Sequence, residues 1–476
     1  MTTLDGSPYQ GYLYAYPHKT AYRPLRPRPA LRDVWAGERR DGLFLYLHLP
    51  FCEMRCGFCN LFTRANPPAE QVARYLAQLG TQADRVSDAL GDTDYARIAI
   101  GGGTPTYLTA AELTALFDLL TRFGARPGAV PTAVETSPAT ATADRISVLA
   151  ERGTTRISMG VQSFLDAESR AAGRPQRRDE VERALATIRS SGIDTVNLDL
   201  IYGIAGQTAQ TWAQSLSAAL SWQPEELFLY PLYVRPLTGL GRRSVPLLPT
   251  AGAARPPDPH AESRVAPPPV RPADRRDPPA GGSDTDPEWD AQRLALYRQG
   301  RDTLRAAGYR QLSLRHFRRA DLPDPDGPDY SCQDDGMVGL GCGARSYTTD
   351  LHYSFDYAVG VGQVRAIIED YLRRPATDFD VAEVGFALDG VEQRRRWLVK
   401  SLLRADGFAP AGYHDRFGSP VEEDFSQLTT LVERGWVELG PDRVVLTDAG
   451  LERSDAIGPW LVSGPVRAAM AGYAWR

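Results

Sequence analysis

Residues 43–233 alternate short apolar, β-branched runs with longer amphipathic runs, and this alternation limits the possible folds more than any other feature. The predicted strands span residues 43–49, 97–102, 132–137, 156–162, 195–203 and 226–233. Strands that alternate with helices build a parallel sheet with right-handed crossovers. Six strands fit either an open doubly wound sheet or a partial barrel. In both folds, ligands bind at the carboxyl ends of the strands.

The rest of the chain divides by composition. Residues 1–42 form an N-terminal extension, and residues 43–243 form the α/β core. Residues 244–288 include twelve prolines and predict a disordered surface insertion. Residues 289–378 complete the core with a helix at 289–308, a strand at 309–317 and a Gly-rich turn at 336–347. Residues 379–476 end in a helix, a strand, a turn and a strand, which predicts a small α+β domain of winged-helix type.

Charge and hydropathy narrow the classes of partner. The net charge of −5 predicts no nucleic-acid partner, and a winged helix used for packing suits this charge better than one that binds DNA. The N-terminus has no charged head followed by an apolar run, and no apolar stretch is long enough to span a bilayer. Five cysteines, an odd number, do not indicate a disulfide framework. We therefore expect a cytoplasmic monomer that does not bind membranes.

Three of the five cysteines, Cys52, Cys56 and Cys59, lie directly after the first predicted strand. A structural zinc ion needs four ligands, and the only close fourth candidate, His48, lies within the strand. A disulfide would leave one cysteine over. An iron–sulfur cluster takes four thiolates, so three cysteines would leave one iron of a [4Fe–4S] cluster open to a ligand that is not a side chain.

Further unusual residues lie at the carboxyl ends of the other predicted strands. The segment "IAIGGGTPT" ends the second strand with three glycines, where backbone groups can approach a ligand closely. Glu135 ends the third strand, Gln162 the fourth, and Arg174 follows shortly after. Asp199 lies in an apolar strand, where an unpaired carboxylate is costly, so a ligand or an arginine such as Arg174 is the expected partner. Each feature alone also fits an ordinary turn or a solvated charge.

Together, "LYLHLPFC", "CGFC" with Phe58 before its last cysteine, "GGGTPT", "GVQSF" and "NLDLIYG" resemble the HemN-like family of the radical S-adenosylmethionine (SAM) superfamily. The resemblance implies a partial (β/α)6 barrel of parallel strands. It also implies a [4Fe–4S] cluster whose open iron binds the amino and carboxylate groups of SAM. Reductive cleavage of SAM would then give a 5′-deoxyadenosyl radical that abstracts hydrogen from an organic substrate.

The resemblance also implies roles for individual residues. The cluster would be held by Cys52, Cys56 and Cys59. The expected SAM contacts are Tyr46 and Phe58, then Gly102, Gly103 and Thr104 for the methionine part, and Glu135, Gln162, Arg174 and Asp199 for one SAM or a second. In the oxidase of this family, a second SAM contacts the positions that match Tyr233 and Arg345.

The family includes oxygen-independent coproporphyrinogen III oxidase, the HemW haem chaperones and class C methyltransferases that use two SAM molecules. The resemblance favours an oxidase-like radical SAM enzyme, with these two relatives and a non-catalytic iron or zinc protein as alternatives. It implies an electron donor such as flavodoxin or ferredoxin. The substrate would be a small molecule, either a tetrapyrrole or a specialised metabolite. The chain departs from the oxidase at Leu61, where the oxidase has a further cysteine.

Overall fold

The computed structural model describes residues 4–244, 286–323 and 331–474. The strands in these ranges are β1 (Arg23–Pro24), β2 (Leu43–Leu49), β3 (Phe51–Cys52), β4 (Arg64–Ala65), β5 (Tyr95–Gly102), β6 (Thr132–Thr136), β7 (Arg156–Gln162), β8 (Thr195–Tyr202), β9 (Glu226–Pro231), β10 (Tyr309–Gln311), β11 (His316–Arg319), β12 (Met337–Leu340), β13 (Arg345–Tyr347), β14 (Leu351–Ser354), β15 (Val384–Ala387), β16 (Val437–Leu439) and β17 (Val444–Leu446). Most of the predicted Pro-rich insertion, residues 245–285, lies outside the described residues.

The helices lie mainly between the strands of the large sheet and in the C-terminal part of the chain. They are α1 (Leu31–Trp35), α2 (Ala69–Leu90), α3 (Ala110–Arg122), α4 (Ala143–Glu151), α5 (Asp166–Ala171), α6 (Arg178–Ser190), α7 (Ala209–Ser221), α8 (Gly239–Ser244), α9 (Pro287–Ala306), α10 (Val361–Tyr371), α11 (Gly390–Leu402), α12 (Pro410–Phe417), α13 (Val421–Asp424), α14 (Gln427–Glu433), α15 (Asp448–Leu451), α16 (Ser454–Leu461) and α17 (Gly464–Ala471). None of the helices in the described ranges is long and apolar enough to cross a bilayer.

The six predicted strands are adjacent and parallel, in the order β2-β5-β6-β7-β8-β9, which confirms the α/β fold class. A seventh strand, β12, pairs parallel with β2, and short antiparallel strands extend the sheet at both ends. In the described part of the chain, the two edge strands β1 and β10 do not pair with each other. The hydrogen-bonded sheet therefore stays open.

Two segments differ from the sequence-based expectation. The single strand predicted at 309–317 is the hairpin β10–β11, in which Gln311 pairs with Phe317. The apolar run was too short to distinguish one strand from two. The Gly-rich turn predicted at 336–347 contains β12 and β13, which form an antiparallel pair and complete the sheet beside β2.

The two faces of the parallel sheet differ in chemistry. Successive side chains of a strand point to opposite faces, so the strand register defines two sets of residues. The outer face is apolar and buried against helices, and it includes Leu45, Ile98, Ile100, Val134, Ile157, Val196, Leu198 and Leu227. The opposite set is polar and aromatic, and it includes Tyr46, Glu135, Arg156, Ser158, Asn197, Asp199, Glu226 and Phe228. The strand alternation thus places charged groups on one face of the sheet, called the inner face below.

Helix α2 shows how the covering helices form. Its buried residues Val72, Tyr75, Leu79 and Val86 recur at helical spacing and pack in the main core. The helix ends at Gly91, whose φ of 66° suits glycine. Spacing and terminator together explain why the amphipathic run between β4 and β5 folds as this helix.

A second hydrophobic core lies in the C-terminal part of the chain. There α14, β16 and β17 occur in the order helix, strand, strand, and the strands pair antiparallel, as expected for the winged-helix-like unit. The N-terminal segment packs into this core through Leu4, Leu13 and Tyr16. The backbone N–H of Gly11 also donates to the carbonyl of Asp455 at 3.0 Å. The N-terminal segment therefore joins the C-terminal unit, while the domain boundaries stay predictions.

The central position of Leu198 in β8 gives a test of the fold. Leu198 is fully buried on the outer face of the sheet, so Leu198→Ala leaves a cavity and should lower the free energy of unfolding by about 2–5 kcal/mol. Leu439→Ala is the control, because Leu439 is 40% exposed. Urea titration followed by circular dichroism measures both variants. Equal destabilisation by the two substitutions would contradict the packing described.

Candidate functional site

Backbone contacts hold the cysteine loop, residues 52–59, against the carboxyl ends of the strands. The Gly57 N–H donates to the carbonyl of Gly173 at 3.0 Å, and the Leu240 N–H donates to the carbonyl of Gly57 at 2.8 Å. A Cβ at Gly57 would lie 2.7 Å from the Ala172 carbonyl oxygen, closer than real Cβ atoms come. Only glycine therefore lets the loop approach these two segments.

The Gly-rich segment after β5 packs directly on the start of the cysteine loop. The N–H of Gly103 donates to the Leu49 carbonyl, and the N–H of Thr104 donates to the Phe51 carbonyl, both at 2.7 Å. A Cβ at Gly103 would lie 2.5 Å from the Phe51 carbonyl oxygen. The Thr104 hydroxyl donates to Cys52 Sγ at 3.5 Å. The second predicted motif thus lies beside the first thiol of the cysteine loop.

The three thiols suit a cluster better than a single ion. All three are half-buried and free of disulfides, and burial raises the pKa of Cys52 and of Cys56. Within the described ranges, no group of three or more His, Cys, Asp and Glu side chains is arranged to bind a single metal ion. Thiolate donors on one loop, beside a backbone surface without side chains, fit a [4Fe–4S] cluster.

His48, considered from the sequence as a fourth metal ligand, has a structural role. Its Nδ1 lies 3.2 Å from the Tyr46 hydroxyl and its Nε2 lies 3.1 Å from the Phe62 carbonyl. A Cβ at Gly102 or at Gly343 would collide with the imidazole ring. Burial lowers the pKa of His48 to about 4, so the ring is neutral. His48 fixes the hydroxyl of Tyr46, a predicted SAM contact.

Two predicted SAM residues, Glu135 and Asp199, lie on the inner face of the sheet. Water reaches both carboxyl groups although protein encloses them. The Gly102 N–H donates to Glu135 Oε2 at 3.0 Å, and Asn197 Nδ2 donates to Asp199 Oδ1 at 2.8 Å. Burial, the largest cause, raises the pKa of Glu135 to about 7 and that of Asp199 to about 6, and the charge of Asp199 further raises the pKa of Glu135. These oxygens suit a cationic or hydroxyl-bearing ligand.

Gln162 and Arg174 meet beside Gly160. A β-bulge separates Gly160 from Gln162, whose φ of 68° is unusual for a residue other than glycine. A Cβ at Gly160 would lie 2.6 Å from Gln162 Nε2 and 3.4 Å from Arg174 Nη1. Arg174 Nη1 lies 3.8 Å from Cys56 Sγ, and Nε donates to Gln176 Oε1 at 2.7 Å. The guanidinium thus faces the cysteine loop, and it acts on Asp199 only as a nearby charge that opposes the rise in the pKa of Asp199.

The remaining predicted contacts divide into two places. Phe58 packs beside Ile201, Ile204 and Trp289, at the ends of the last parallel strands. The Tyr233 hydroxyl donates to a carboxylate oxygen of Asp455 on α16. Arg345, on β13, contacts the N-terminal segment through the Tyr14 hydroxyl. Tyr233 and Arg345 therefore have different partners.

The N-terminal segment contributes side chains near the site that the sequence motifs did not predict. Arg345 Nη1 donates to the Tyr14 hydroxyl at 2.6 Å, and Lys19 Nζ lies 3.4 Å from the centroid of the Tyr357 ring. Burial alone would raise the pKa of Tyr14, but Arg345 and Lys19 outweigh burial and lower this pKa to about 8. The Tyr-rich composition of this segment was the only local signal, since its partners lie more than 300 residues away.

Comparison with known proteins identifies the class of the central domain. The model of the radical SAM superfamily matches residues 46–219, which span β2 to α7 and include all three cysteines of the loop. Residues 46–219 therefore form a radical SAM domain. This superfamily implies a [4Fe–4S] cluster and SAM, and the donor set described above fits both.

The curated homologues of the whole chain have two different names. The heme chaperone HemW of Bacillus subtilis is 26% identical, over 85% of this chain and 95% of the relative. Oxygen-independent coproporphyrinogen III oxidase of Pseudomonas aeruginosa is also 26% identical, over 94% of this chain and 91% of the relative. The solved structure of the Escherichia coli oxidase, HemN, matches with a TM-score of 0.76 over 95% of this chain and 97% of that one, at 21% identity. The fold is thus of HemN type.

The crowding at Gly57 gives a test of the cysteine loop. Gly57→Ala places a methyl group against backbone, so we expect a loss of about 1–3 kcal/mol in stability and less bound iron after anaerobic reconstitution. Gly80→Ala is the matched control, because nothing lies within 4 Å of its Cβ position in α2. It should bind iron normally and gain up to about 1 kcal/mol. Normal iron binding by Gly57→Ala would refute the tight fit.

The raised pKa of Glu135 gives a pH test. A carboxylate that binds a cationic group must lose its proton first, and a pKa of about 7 means that the proton competes below neutral pH. SAM affinity, measured by equilibrium dialysis on the reconstituted protein, should fall about tenfold between pH 8 and pH 6. Glu135→Gln should flatten this dependence, whereas Glu70→Gln, at an exposed position in α2, should not. If the pH dependence of SAM affinity is unchanged in Glu135→Gln, Glu135 is not the carboxylate that binds SAM.

Proposed function

We propose that the protein is a radical SAM enzyme that abstracts a hydrogen atom from a small organic substrate, in a reaction similar to that of oxygen-independent coproporphyrinogen III oxidase. The principal support is the loop of three free thiols, packed on the Gly-rich segment at the carboxyl edge of a HemN-type sheet. When bound, the cluster and SAM together supply one-electron cleavage of SAM and hydrogen abstraction. The electron would come from a small carrier such as flavodoxin or ferredoxin.

The side chains around the loop have separate roles in this proposal. Cys52, Cys56 and Cys59 hold the cluster, and the Thr104 hydroxyl donates a hydrogen bond to the sulfur of Cys52. Gly102 and Gly103 expose backbone groups to the methionine part of SAM, because any Cβ there would collide with its surroundings. Tyr46, oriented by His48, lies on the same side of the sheet.

The inner-face carboxylates and the basic groups have complementary roles. Glu135 and Asp199 accept hydrogen bonds from the cationic and hydroxyl groups of SAM. Gln162 and Arg174 lie over Gly160, which pairs with Asp199 in the sheet, and contact the carboxylate of SAM. Phe58 packs on the apolar side, near Ile201. Equilibrium dialysis measures directly how many SAM molecules, one or two, bind to each chain.

Three functions are candidates for the site. Oxidative decarboxylation of a tetrapyrrole side chain is favoured, because the oxidase relative aligns with 94% of this chain. Heme delivery is the second candidate, because HemW aligns over 85% of the chain. Methyl transfer with a second SAM is the third, and it requires the carboxylates and Arg345 to serve two SAM molecules. Release of CO2 would indicate decarboxylation, and a heme Soret band would indicate heme delivery. Formation of S-adenosylhomocysteine would indicate methyl transfer.

The decisive experiment is anaerobic formation of 5′-deoxyadenosine from SAM. Protein reconstituted with iron and sulfide and reduced with dithionite should produce it, and Cys56→Ala should lose both cluster absorbance and this product. Asp199→Asn should keep the cluster and turn over SAM more slowly. Cys332→Ala is the matched control, since this half-buried cysteine lies outside the loop and should keep its iron. If protein with a full complement of cluster makes no 5′-deoxyadenosine, even with cell extract present, the proposed enzymatic activity is excluded.

A further inference from the structure

Two cations next to Tyr14 have no carboxylate partner. Lys19 belongs to the N-terminal segment and Arg345 to β13, and both residues are half-buried. Across the described residues, neither side chain forms an ion pair with Asp or Glu, and the Nε atom of Arg345 is buried without any hydrogen-bond partner. A charge partly removed from water is costly unless it is paired and hydrogen-bonded. Two such charges at one place therefore call for an anion.

The two cations contact aromatic rings, not carboxylates. Lys19 lies 3.4 Å from the centroid of the Tyr357 ring, and the Arg345 guanidinium lies 4.8 Å from that of Tyr14. The Tyr14 hydroxyl accepts from Arg345 at 2.6 Å. A phenol is mostly neutral at pH 7, so it leaves the charge of the pair uncompensated. His18, beside Tyr14, adds no negative charge.

Lys19 and Arg345 lie near the end of the cysteine loop. The Tyr357 hydroxyl donates to the carbonyl of Asn60 at 3.1 Å, and Asn60 directly follows Cys59. Lys19 therefore lies above a ring that is bonded to the end of the loop. On the other side, Tyr14 packs in the same small cluster as Tyr46 and Tyr347. The two cations thus lie where the N-terminal segment meets the end of the cysteine loop and the predicted SAM contact Tyr46.

We propose that Lys19 and Arg345 together bind a carboxylate of a small molecule held above the cysteine loop, with Tyr14 positioning the guanidinium. Arginine offers a planar pair of donors, and lysine adds a compact point charge, so the two cations can contact both oxygens of one carboxylate. The carboxylate could belong to the organic substrate or to a second SAM. The inference rests on the proposed function in placing a ligand there, and its test distinguishes these two sources.

Selective lysine chemistry tests the site. The chain contains only two lysines, Lys19 and Lys400, so acetylation of each can be followed by peptide mass spectrometry. The reconstituted protein is labelled anaerobically with a neutral acetylating reagent, alone and with citrate, coproporphyrin III or SAM. A bound carboxylate at about four times its Kd should slow the labelling of Lys19 about fivefold. Lys400, whose ammonium donates to the Tyr14 carbonyl, serves as the internal reference.

Two controls separate charge recognition from simple shielding. Arg345→Met should abolish the protection, whereas Arg122→Met, at an exposed position near the end of α3, should keep it. The tetramethyl ester of coproporphyrin III should not protect. Protection by coproporphyrin III assigns the site to the substrate, protection by SAM alone assigns it to a second SAM, and protection by citrate alone assigns it to a smaller carboxylate.

The inference fails if none of the three carboxylates slows the labelling of Lys19, or if Arg345→Met or the ester leaves the protection unchanged. These outcomes do not depend on SAM cleavage, because labelling is measured without a reductant. A protein that forms no 5′-deoxyadenosine could still show protection, and an active enzyme could show none. The two proposals can therefore fail separately.

Discussion

Close backbone contact between the cysteine loop and the sheet is the constraint on which the site depends. Gly57 approaches Gly173, and Gly103 approaches the backbone of Phe51, at distances that exclude any side chain. These contacts hold three thiols at the carboxyl edge of the parallel strands, where the inner-face carboxylates Glu135 and Asp199 also lie. Without them, the thiols would lie on a free loop, and no arrangement of Glu135 and Asp199 could hold a ligand beside a cluster.

The polarity of the sheet explains how the same strands support both the core and the site. Outer-face residues such as Leu198 pack under helices, while their neighbours Asn197 and Asp199 lie on the inner face. Burial then raises the pKa of the inner carboxyl groups. Such groups favour a cationic ligand that replaces the lost water, which fits a sulfonium compound. The chemistry of the site thus follows from the alternation that builds the sheet.

Local patterns predicted much of this arrangement. The bounds of β2 and β7 match the strands predicted at 43–49 and 156–162, and the motifs at strand ends meet because parallel strands share one edge. Contacts between distant segments could not be predicted. Tyr233 bonds to Asp455, and Arg345 bonds to Tyr14, across separations of 222 and 331 residues. The hairpin at β10–β11 was missed because a short apolar run fits one strand or two equally well.

The central claim is that three protein thiolates leave one iron of the cluster for SAM. Electron–nuclear double resonance of the reduced, reconstituted protein with SAM labelled by 15N at its amino group and 13C at its carboxylate tests this claim most directly. The account predicts hyperfine coupling of both labels to the cluster. A four-iron cluster whose spectrum does not change with SAM, and which shows no coupling to either label, would contradict it.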